Sequence, residues 1–202
     1  MSYQYGQQIY HTLLADIKNP YGVSALMGNL VAESNLNPMN LQNTYETSLG
    51  YTDESYTQAV DNGTYTKDQF IYDEAGYGLA QWTYWSRKQG MYEMKQSMGV
   101  SIGSVELACA YLLYELKNTY TSVYNALINA TDIRTPSDVV LHDFENPEVQ
   151  DTNVEIYRAS LGTEIYNLYS GSVAPDVPTP SVRKKKKYNF LLFNRKRFNY
   201  YG

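Results

Sequence analysis

The sequence predicts a mainly α-helical domain that contains one long irregular segment and continues into a basic C-terminal tail. Three observations lead to this prediction. Apolar residues recur at helical spacing through most of the first 170 residues, residues 35–75 lack that period, and 8 of the 16 Lys and Arg residues fall within 183–197. A chain of 202 residues can bury one good core, so a single globular domain is expected.

The first helix is predicted over residues 5–18. Ile9, Leu13 and Ile17 follow one another at intervals of four, which places them on one face of a helix. Pro20 comes two residues after this segment and marks its end, because a proline inside a helix lacks the backbone N–H donor and clashes with the preceding turn.

A second helix is predicted over residues 23–34 and carries the most informative acidic residue. Leu26, Leu30 and Glu33 are separated by steps of four and three, so the carboxyl group of Glu33 shares a helix face with two leucines. Partial burial beside leucines and a place in the last helical turn both disfavour a carboxylate anion. The competing interpretation is a glutamate at the edge of the core that pairs with an Arg or Lys.

The segment 35–75 is rich in Asn, Thr, Tyr, Asp and Gly and predicts irregular structure that could include a short β-hairpin. Turn signals stand at Asn37-Pro38 and Asn62-Gly63. Long irregular segments of compact domains are often functional, so residues near this segment are candidates for a binding site.

Helical periodicity returns after residue 83. It predicts five further helices, at residues 84–98, 105–116, 120–130, 137–144 and 151–169. The single cysteine, Cys109, excludes an intrachain disulfide and lies in the apolar run 107–113, where we expect a small buried side chain.

Composition divides the chain into a domain at 1–170, a Pro-rich linker at 171–182 and a basic, aromatic tail at 183–202. The part before residue 183 has 8 basic and 21 acidic residues, whereas the tail has 8 basic residues and no acidic one. The N-terminus has neither a basic start nor an apolar core, so no secretion signal is expected, and no stretch is long and apolar enough to span a membrane.

A glycine-rich block at 76–83, Gly-Tyr-Gly-Leu-Ala-Gln-Trp-Thr, precedes the helix at 84–98. Glycine lets a backbone approach a ligand closely, Gln81 can donate and accept hydrogen bonds, and Trp82 offers an aromatic face for a sugar ring. An equally good interpretation is a tight turn that contains a buried tryptophan.

Three ordered blocks resemble the phage tail lysozyme family. They are Met-Gly-Asn-Leu-Val-Ala-Glu-Ser-Asn-Leu-Asn-Pro at 27–38, Leu-Gln-Asn-Thr-Tyr-Glu at 41–46 and the glycine-rich block at 76–83. Phe-Glu-Asn-Pro at 144–147, followed by Arg158, is similar to a later Glu-Arg-Pro segment of that family, although Asn146 stands where Arg is usual. The resemblance covers roughly residues 5–170 and implies a lysozyme-like helical fold that acts on the glycan strands of bacterial peptidoglycan.

The same resemblance implies that Glu33 is the catalytic acid, since it is the glutamate of the Ala-Glu-Ser block. Cleavage of a glycosidic bond requires a carboxyl group that still holds a proton near neutral pH. We expect substrate contacts from residues of the second and third blocks. These residues are Asn43, Tyr45, Gly76, Tyr77, Gly78, Gln81 and Trp82.

A second carboxylate is harder to choose. Glu46 lies 13 residues beyond Glu33, a spacing similar to that of goose-type lysozymes, and ranks first. Asp73 directly precedes the glycine-rich block and ranks second. Carboxyl groups about 5 Å apart would indicate retention of configuration, and groups about 6.5 to 9.5 Å apart would indicate inversion. A lytic transglycosylase, which needs one acid/base, remains an alternative.

Other classes of function are less well supported. The two histidines, His11 and His142, form no His-Glu-x-x-His motif, and a buried Cys109 would not serve as a nucleophile, so no metal and no cofactor are expected. A wall-binding or tail-structural protein that keeps the fold without activity is a further alternative. For the tail at 183–202 we expect a wall polyanion or an anionic membrane surface, or else a solvated tail without a partner. The acidic body argues against nucleic acid.

The expected location is a phage tail or, for a lysis protein, the cell wall reached from the host cytoplasm. The sequence does not distinguish a virion component from an endolysin with antimicrobial use.

Overall fold

A computed structural model describes residues 3–171, and the fold is mainly α, as the sequence predicts. The helices are α1 (Gly6–Ile17), α2 (Pro20–Ser34), α3 (Asn43–Leu49), α4 (Asp53–Asn62), α5 (Lys67–Tyr72), α6 (Trp85–Met98), α7 (Val105–Asn118), α8 (Thr121–Ile128), α9 (Arg134–Val140) and α10 (Thr152–Tyr169). A single π-helical turn, Leu141–Glu145, follows α9. The linker at 171–182, apart from its first residue, and the tail at 183–202 lie outside the described residues, so these boundaries stay predictions.

The central helix α2 begins three residues earlier than its apolar period predicts, because its start is set by a cap. The side chain of Asn19 accepts hydrogen bonds from the backbone N–H groups of Tyr21 and Gly22, and Pro20 occupies the first turn. The helix ends at Ser34, where Asn35 adopts a left-handed conformation with φ of 52°. Glu33 is thereby placed in the last turn.

The prediction of irregular structure over residues 35–75 is wrong in part, since the three short helices α3, α4 and α5 lie within this segment. Threonines cap two of them: Thr52 and Ser55 form a reciprocal capping box at α4, and Thr66 and Gln69 form another at α5. The suggested β-hairpin is present only as isolated bridges, which join Tyr77 to Leu41 and to Trp82.

The core is built around α2, which contacts α1, α8, α9 and α10. Leu26 and Leu30 are fully buried there, as expected from their spacing, and Met27 is fully buried as well. Gly28 allows α10 to approach closely, because a Cβ atom at Gly28 would lie 2.4 Å from the backbone nitrogen of Gly162. The two glycines therefore fix the distance between α2 and α10.

Cys109 is fully buried in α7, as its apolar surroundings in the sequence predict. Burial raises the pKa of its thiol to about 12, so the side chain is a neutral core residue at ordinary pH. None of the helices within residues 3–171 combines the length and the apolar character that a membrane crossing requires.

Candidate active site

An open groove runs past the C-terminal end of α2. One part has a volume of about 390 Å³ and lies between the end of α2 and the start of α3. Another part, of about 460 Å³, lies beside α6 and the π-helical turn. Glu33, Gln42 and Gln81 line both parts, so Glu33 lies where the two parts meet.

Glu33 forms an ion pair with Arg158 of α10. The Nη2 atom of Arg158 donates to Oε1 of Glu33 at 2.5 Å, and the side chain of Glu33 is 20% exposed, while Leu26 and Leu30 are fully buried. The apolar stripe therefore positions the helix, but the immediate partner of the carboxyl group is a guanidinium. The ion-paired interpretation of Glu33 therefore describes the contact that its carboxyl group makes in this structure.

Arg158 is itself held in place from α2 and α9. Its Nη1 atom donates to the backbone oxygen and to Oδ1 of Asn29 at 3.4 Å each. The Nδ2 atom of Asn29 in turn donates to the backbone oxygen and Oγ of Ser137. All three side chains are buried, so the guanidinium is fixed before any ligand arrives.

The glycine-rich block forms one wall of the groove. The Nε2 atom of Gln81 donates to Oδ1 of Asn40 at 2.8 Å and to the backbone oxygen of Gly78 at 3.1 Å. Gln81 has φ of 44°, an unusual conformation for a residue with a side chain, and such strain is concentrated at functional sites. Gln42 pairs with Gly76 through backbone and side-chain hydrogen bonds, which joins this wall to the residues before α3.

Two predicted sugar contacts are corrected by the structure. The rings of Tyr77 and Trp82 are fully buried, so neither face is open to a sugar. Trp82 packs against Tyr111, and its indole Nε1 donates to Oε2 of Glu115 at 2.7 Å. Gly78, with φ of 76°, lies against this tryptophan ring. The buried-tryptophan interpretation of the block is the correct one.

Of the other predicted contacts, Gln81 and Asn43 line the groove beside Glu33. Gly76 contributes through its backbone pairing with Gln42. Tyr45 lines a neighbouring cavity of about 610 Å³, together with Tyr72, Tyr84 and Trp85. Thr83 and Tyr84 also line the part of the groove next to Glu33, so this cavity continues the groove.

We call Tyr72, Tyr84 and Trp85 the aromatic shelf. These side chains are 62%, 57% and 45% exposed, although large aromatic side chains are normally well buried. The rings of Tyr72 and Trp85 are 6.4 Å apart and inclined by only 26°. Exposed, roughly aligned rings beside a polar groove offer flat apolar surfaces to a ligand with both apolar and hydroxyl faces.

Asp73 is not available to a ligand in this structure. Its side chain is 4% exposed and forms an ion pair with Lys88, whose side chain is completely buried. Tyr56, Tyr65 and the backbone N–H of Ala75 also donate to its carboxylate. These contacts indicate that Asp73 stabilises the packing of the core next to α5 and α6.

Glu46 lies in α3 and is half-buried. The first residues of this helix, Asn43 and Thr44, line the groove, but Glu46 is not among the residues that surround Glu33 there. The charge of Glu46 instead acts on Asp53, where it adds to burial in raising the pKa of that carboxyl group. The structure therefore does not bring Glu46 and Glu33 together around one part of the groove.

The acidic residue that lines the same cavity as Glu33 is Glu145, which is not among the residues predicted from the sequence. Glu145 ends the π-helical turn and lines the 460 Å³ part of the groove. Its Oε1 atom is buried and has no hydrogen-bond partner. Burial, and next the charge of Glu33, raise the pKa of Glu145 well above its ordinary value.

Arg87 supports this region from α6. It forms a bidentate ion pair with Glu115, and its guanidinium lies 5.0 Å from the ring centre of Phe144. Because Glu115 also accepts from Trp82, one buried network connects the glycine-rich block to the π-helical turn. The Phe-Glu-Asn-Pro block is a sequence signal for Glu145, but only the packing shows that Glu145 lines the same part of the groove as Glu33.

Across residues 3–171, no group of three or more His, Cys, Asp and Glu side chains is arranged to hold a metal ion. The residues of the groove can transfer protons through carboxyl groups, next to guanidinium groups and hydrogen-bonding amides.

Together, the fold and the groove define a helical domain with a carboxyl group at the centre of an extended binding cleft. The model of the phage tail lysozyme family matches residues 5–169, and the chain belongs to this family. The family implies a lysozyme-type activity on peptidoglycan. No curated protein sequence matches the chain.

Proposed function

We propose that this protein cleaves the glycan strand of bacterial peptidoglycan by hydrolysis, with Glu33 as the general acid. The observation that carries the proposal is the position of Glu33 where the two parts of the groove meet, so that a bound strand would extend to both sides of it. A glycosidase needs its acid at such a point, because the scissile bond lies between two sugar units that both must be bound.

The groove offers the contacts that a strand of N-acetylated sugars requires. Asn40, Gln42 and Gln81 present amide groups near Glu33 for hydroxyl and acetamido groups. The aromatic shelf continues the groove with exposed rings on which the apolar face of a sugar could stack. A polar centre next to an aromatic extension is an arrangement suited to a linear carbohydrate rather than to a small compact ligand.

Glu33→Gln tests the proposal, because it keeps the shape of the side chain and removes its proton. We expect the release of soluble fragments from purified cell walls to fall by a factor of roughly 10² or more. Glu106→Gln serves as a matched control, since Glu106 is exposed on α7 and the variant should retain full activity. Unchanged release by Glu33→Gln would contradict the proposal, because another residue would then have to supply the proton. No release by the unchanged protein would instead indicate a wall-binding protein without activity.

Hydrolysis and transglycosylation differ in their products. A hydrolase leaves new reducing ends, whereas a lytic transglycosylase leaves anhydro ends. Mass spectrometry of digested peptidoglycan distinguishes the two, and we expect reducing ends. Glu46 and Asp73, the two candidates for a second carboxylate, have no role in this proposal, because neither lies with Glu33 around the groove.

A further inference from the structure

We propose that Glu145 and Glu33 share one proton, which Glu145 holds in the free enzyme and passes to Glu33 when a strand is bound. Glu145 is thus a positioning residue for the reacting proton. This inference rests on the proposed function of Glu33, and it adds a residue that neither the sequence motifs nor the family description assigns to the reaction.

The first argument is the environment of the Glu145 side chain. Its Oε1 atom is buried and accepts no hydrogen bond, which is costly for a charged carboxylate and much less so for a neutral carboxyl group. The basic residue of its own turn, His142, is engaged with Gln150 and Glu155 and not with Glu145. Glu145 therefore differs from Glu115, a buried glutamate whose two oxygens accept from Arg87 and Trp82.

The second argument is the charge balance around the cavity. The charged groups that act on Glu145 are Glu33 from α2, Arg87 from α6, Glu115 from α7 and Arg158 from α10. The two arginines are each paired with a glutamate, Arg87 with Glu115 and Arg158 with Glu33. The group is electrically neutral only if the remaining carboxyl group, that of Glu145, keeps its proton.

The third argument is the local backbone. Glu145 is the last residue of a π-helical turn, and Asn146 ends that turn in a left-handed conformation with φ of 47°. Turns of this kind are rare and occur often at functional sites, because the wider turn redirects a side chain. Here the turn places Glu145 at the 460 Å³ part of the groove, which Glu33 also lines.

The proton passes from Glu145 to Glu33 when substrate binds, and the pair recovers it at the end of the reaction. When a sugar unit enters the groove, Glu145 releases its proton through a water molecule of the cavity to Glu33, so that Glu145 becomes the carboxylate and Glu33 the acid. Glu33 then protonates the glycosidic oxygen, the C–O bond breaks with its electron pair on that oxygen, and water adds to the anomeric carbon. The proton that this water loses returns the pair to its singly protonated state.

The test is the pH dependence of kcat/KM in Glu145→Gln, measured on purified walls between pH 4 and 9. The shared proton keeps the pair active to higher pH, so its removal should move the alkaline limb to lower pH by about one unit. At pH 8 this corresponds to a loss of about tenfold, and the activity at pH 5 should approach that of the unchanged protein.

Glu148→Gln is the matched control, because Glu148 is exposed in the same loop and its loss should not move the profile. A Glu145→Gln profile that superimposes on that of the unchanged protein would overturn the proposal. Glu33→Gln should be inactive at every pH, so failure of the Glu145 proposal is distinguishable from failure of the proposed function. If Glu145→Gln does not fold, carbon NMR of the unchanged protein provides the test. The proposal requires that one glutamate carboxyl group is still protonated at pH 7. A spectrum without a protonated glutamate at pH 7 would refute the proposal.

Discussion

Gly28 of α2 and Gly162 of α10 face each other so closely that a Cβ atom at Gly28 would lie 2.4 Å from the Gly162 nitrogen and 2.6 Å from the backbone oxygen of Arg158. The helix that carries Glu33 and the helix that carries its guanidinium partner are thus held together backbone to backbone. This close approach is what lets Arg158 reach Glu33.

Gly28→Ala should therefore destabilise the protein by about 1–3 kcal/mol, even though alanine favours helix formation, because the obstacle is backbone that cannot rotate away. Separation of the helices should also lower activity by loosening the Arg158 contact. Urea unfolding and wall digestion measure the two effects. Gly171→Ala is the control, since nothing lies within 4 Å of its added methyl group; equal stability of the two variants would contradict the prediction.

Arg158→Gln should reduce both stability and activity. It removes the guanidinium from Glu33 and the donors from Asn29, and we expect a loss of roughly 2 kcal/mol because Glu33 is still partly exposed. Activity should fall at least about tenfold, since the carboxyl group loses its fixed orientation. The stability and activity of Arg158→Lys should lie between those of Arg158→Gln and those of the unchanged protein, because lysine keeps the charge but lacks the two parallel N–H donors of a guanidinium. Thermal unfolding and kcat measurements check this order, and a fully active Arg158→Gln variant would exclude the orienting role.

Most of the fold could be predicted from periodicity. Helices α1, α2, α6, α7, α8 and α10 follow apolar spacing and differ from the prediction by a few residues at their ends. The short helices α3, α4 and α5 were missed because they are too short and polar to show a clear period. The capping box formed by Thr66 and Gln69 is a local sequence signal for the start of α5.

The site could be predicted less completely. Glu33 follows from one helix face and one motif, both of which are local in the sequence. Whether Trp82 faces a sugar or the core depends on Glu115, 33 residues away, which accepts its indole hydrogen. The raised pKa of Glu145 depends on burial and on charges from four helices, so no local pattern could show it.

The two tryptophans should respond in opposite ways to substitution. Trp85→Ala should weaken binding to glycan fragments, with a rise in KM of about fivefold to tenfold and little change in stability, because an exposed ring is lost. Trp82→Phe should leave KM unchanged and destabilise the protein by about 1–3 kcal/mol, because Glu115 loses a buried donor. Kinetics and urea unfolding of both variants provide the comparison. A raised KM for Trp82→Phe but not for Trp85→Ala would contradict the assignment of Trp85 to ligand binding and of Trp82 to the core.

Asp73→Asn should act on stability and leave the reaction intact. Lys88 would keep its charge in a completely buried position without a counter-ion, at a cost of about 3–5 kcal/mol. Below its unfolding temperature the folded variant should retain the kcat of the unchanged protein. Loss of kcat in variant protein that is demonstrably folded would restore Asp73 as a candidate second carboxylate.

The tail at 183–202 should promote attachment to walls through its eight basic residues. Deletion of residues 183–202 should reduce co-sedimentation with Gram-positive walls at low salt and abolish its salt dependence. Digestion of soluble glycan fragments should be unchanged, because these residues follow the matched segment 5–169. Equal sedimentation of the two proteins at every salt concentration would rule out this role.

Because Cys109 is the single cysteine of the chain and is buried, a fluorescent label can be attached to the protein at a chosen site. Its thiol is fully buried and stays protonated at ordinary pH, so reagents in solution should not modify it while the domain is folded. A cysteine introduced at an exposed groove position such as Thr83 would then accept a fluorophore selectively, with no need to remove the native residue. The emission of that dye could follow the binding of a glycan strand in real time. In a separate experiment, the rate at which a thiol reagent modifies Cys109 would report unfolding of the helical core.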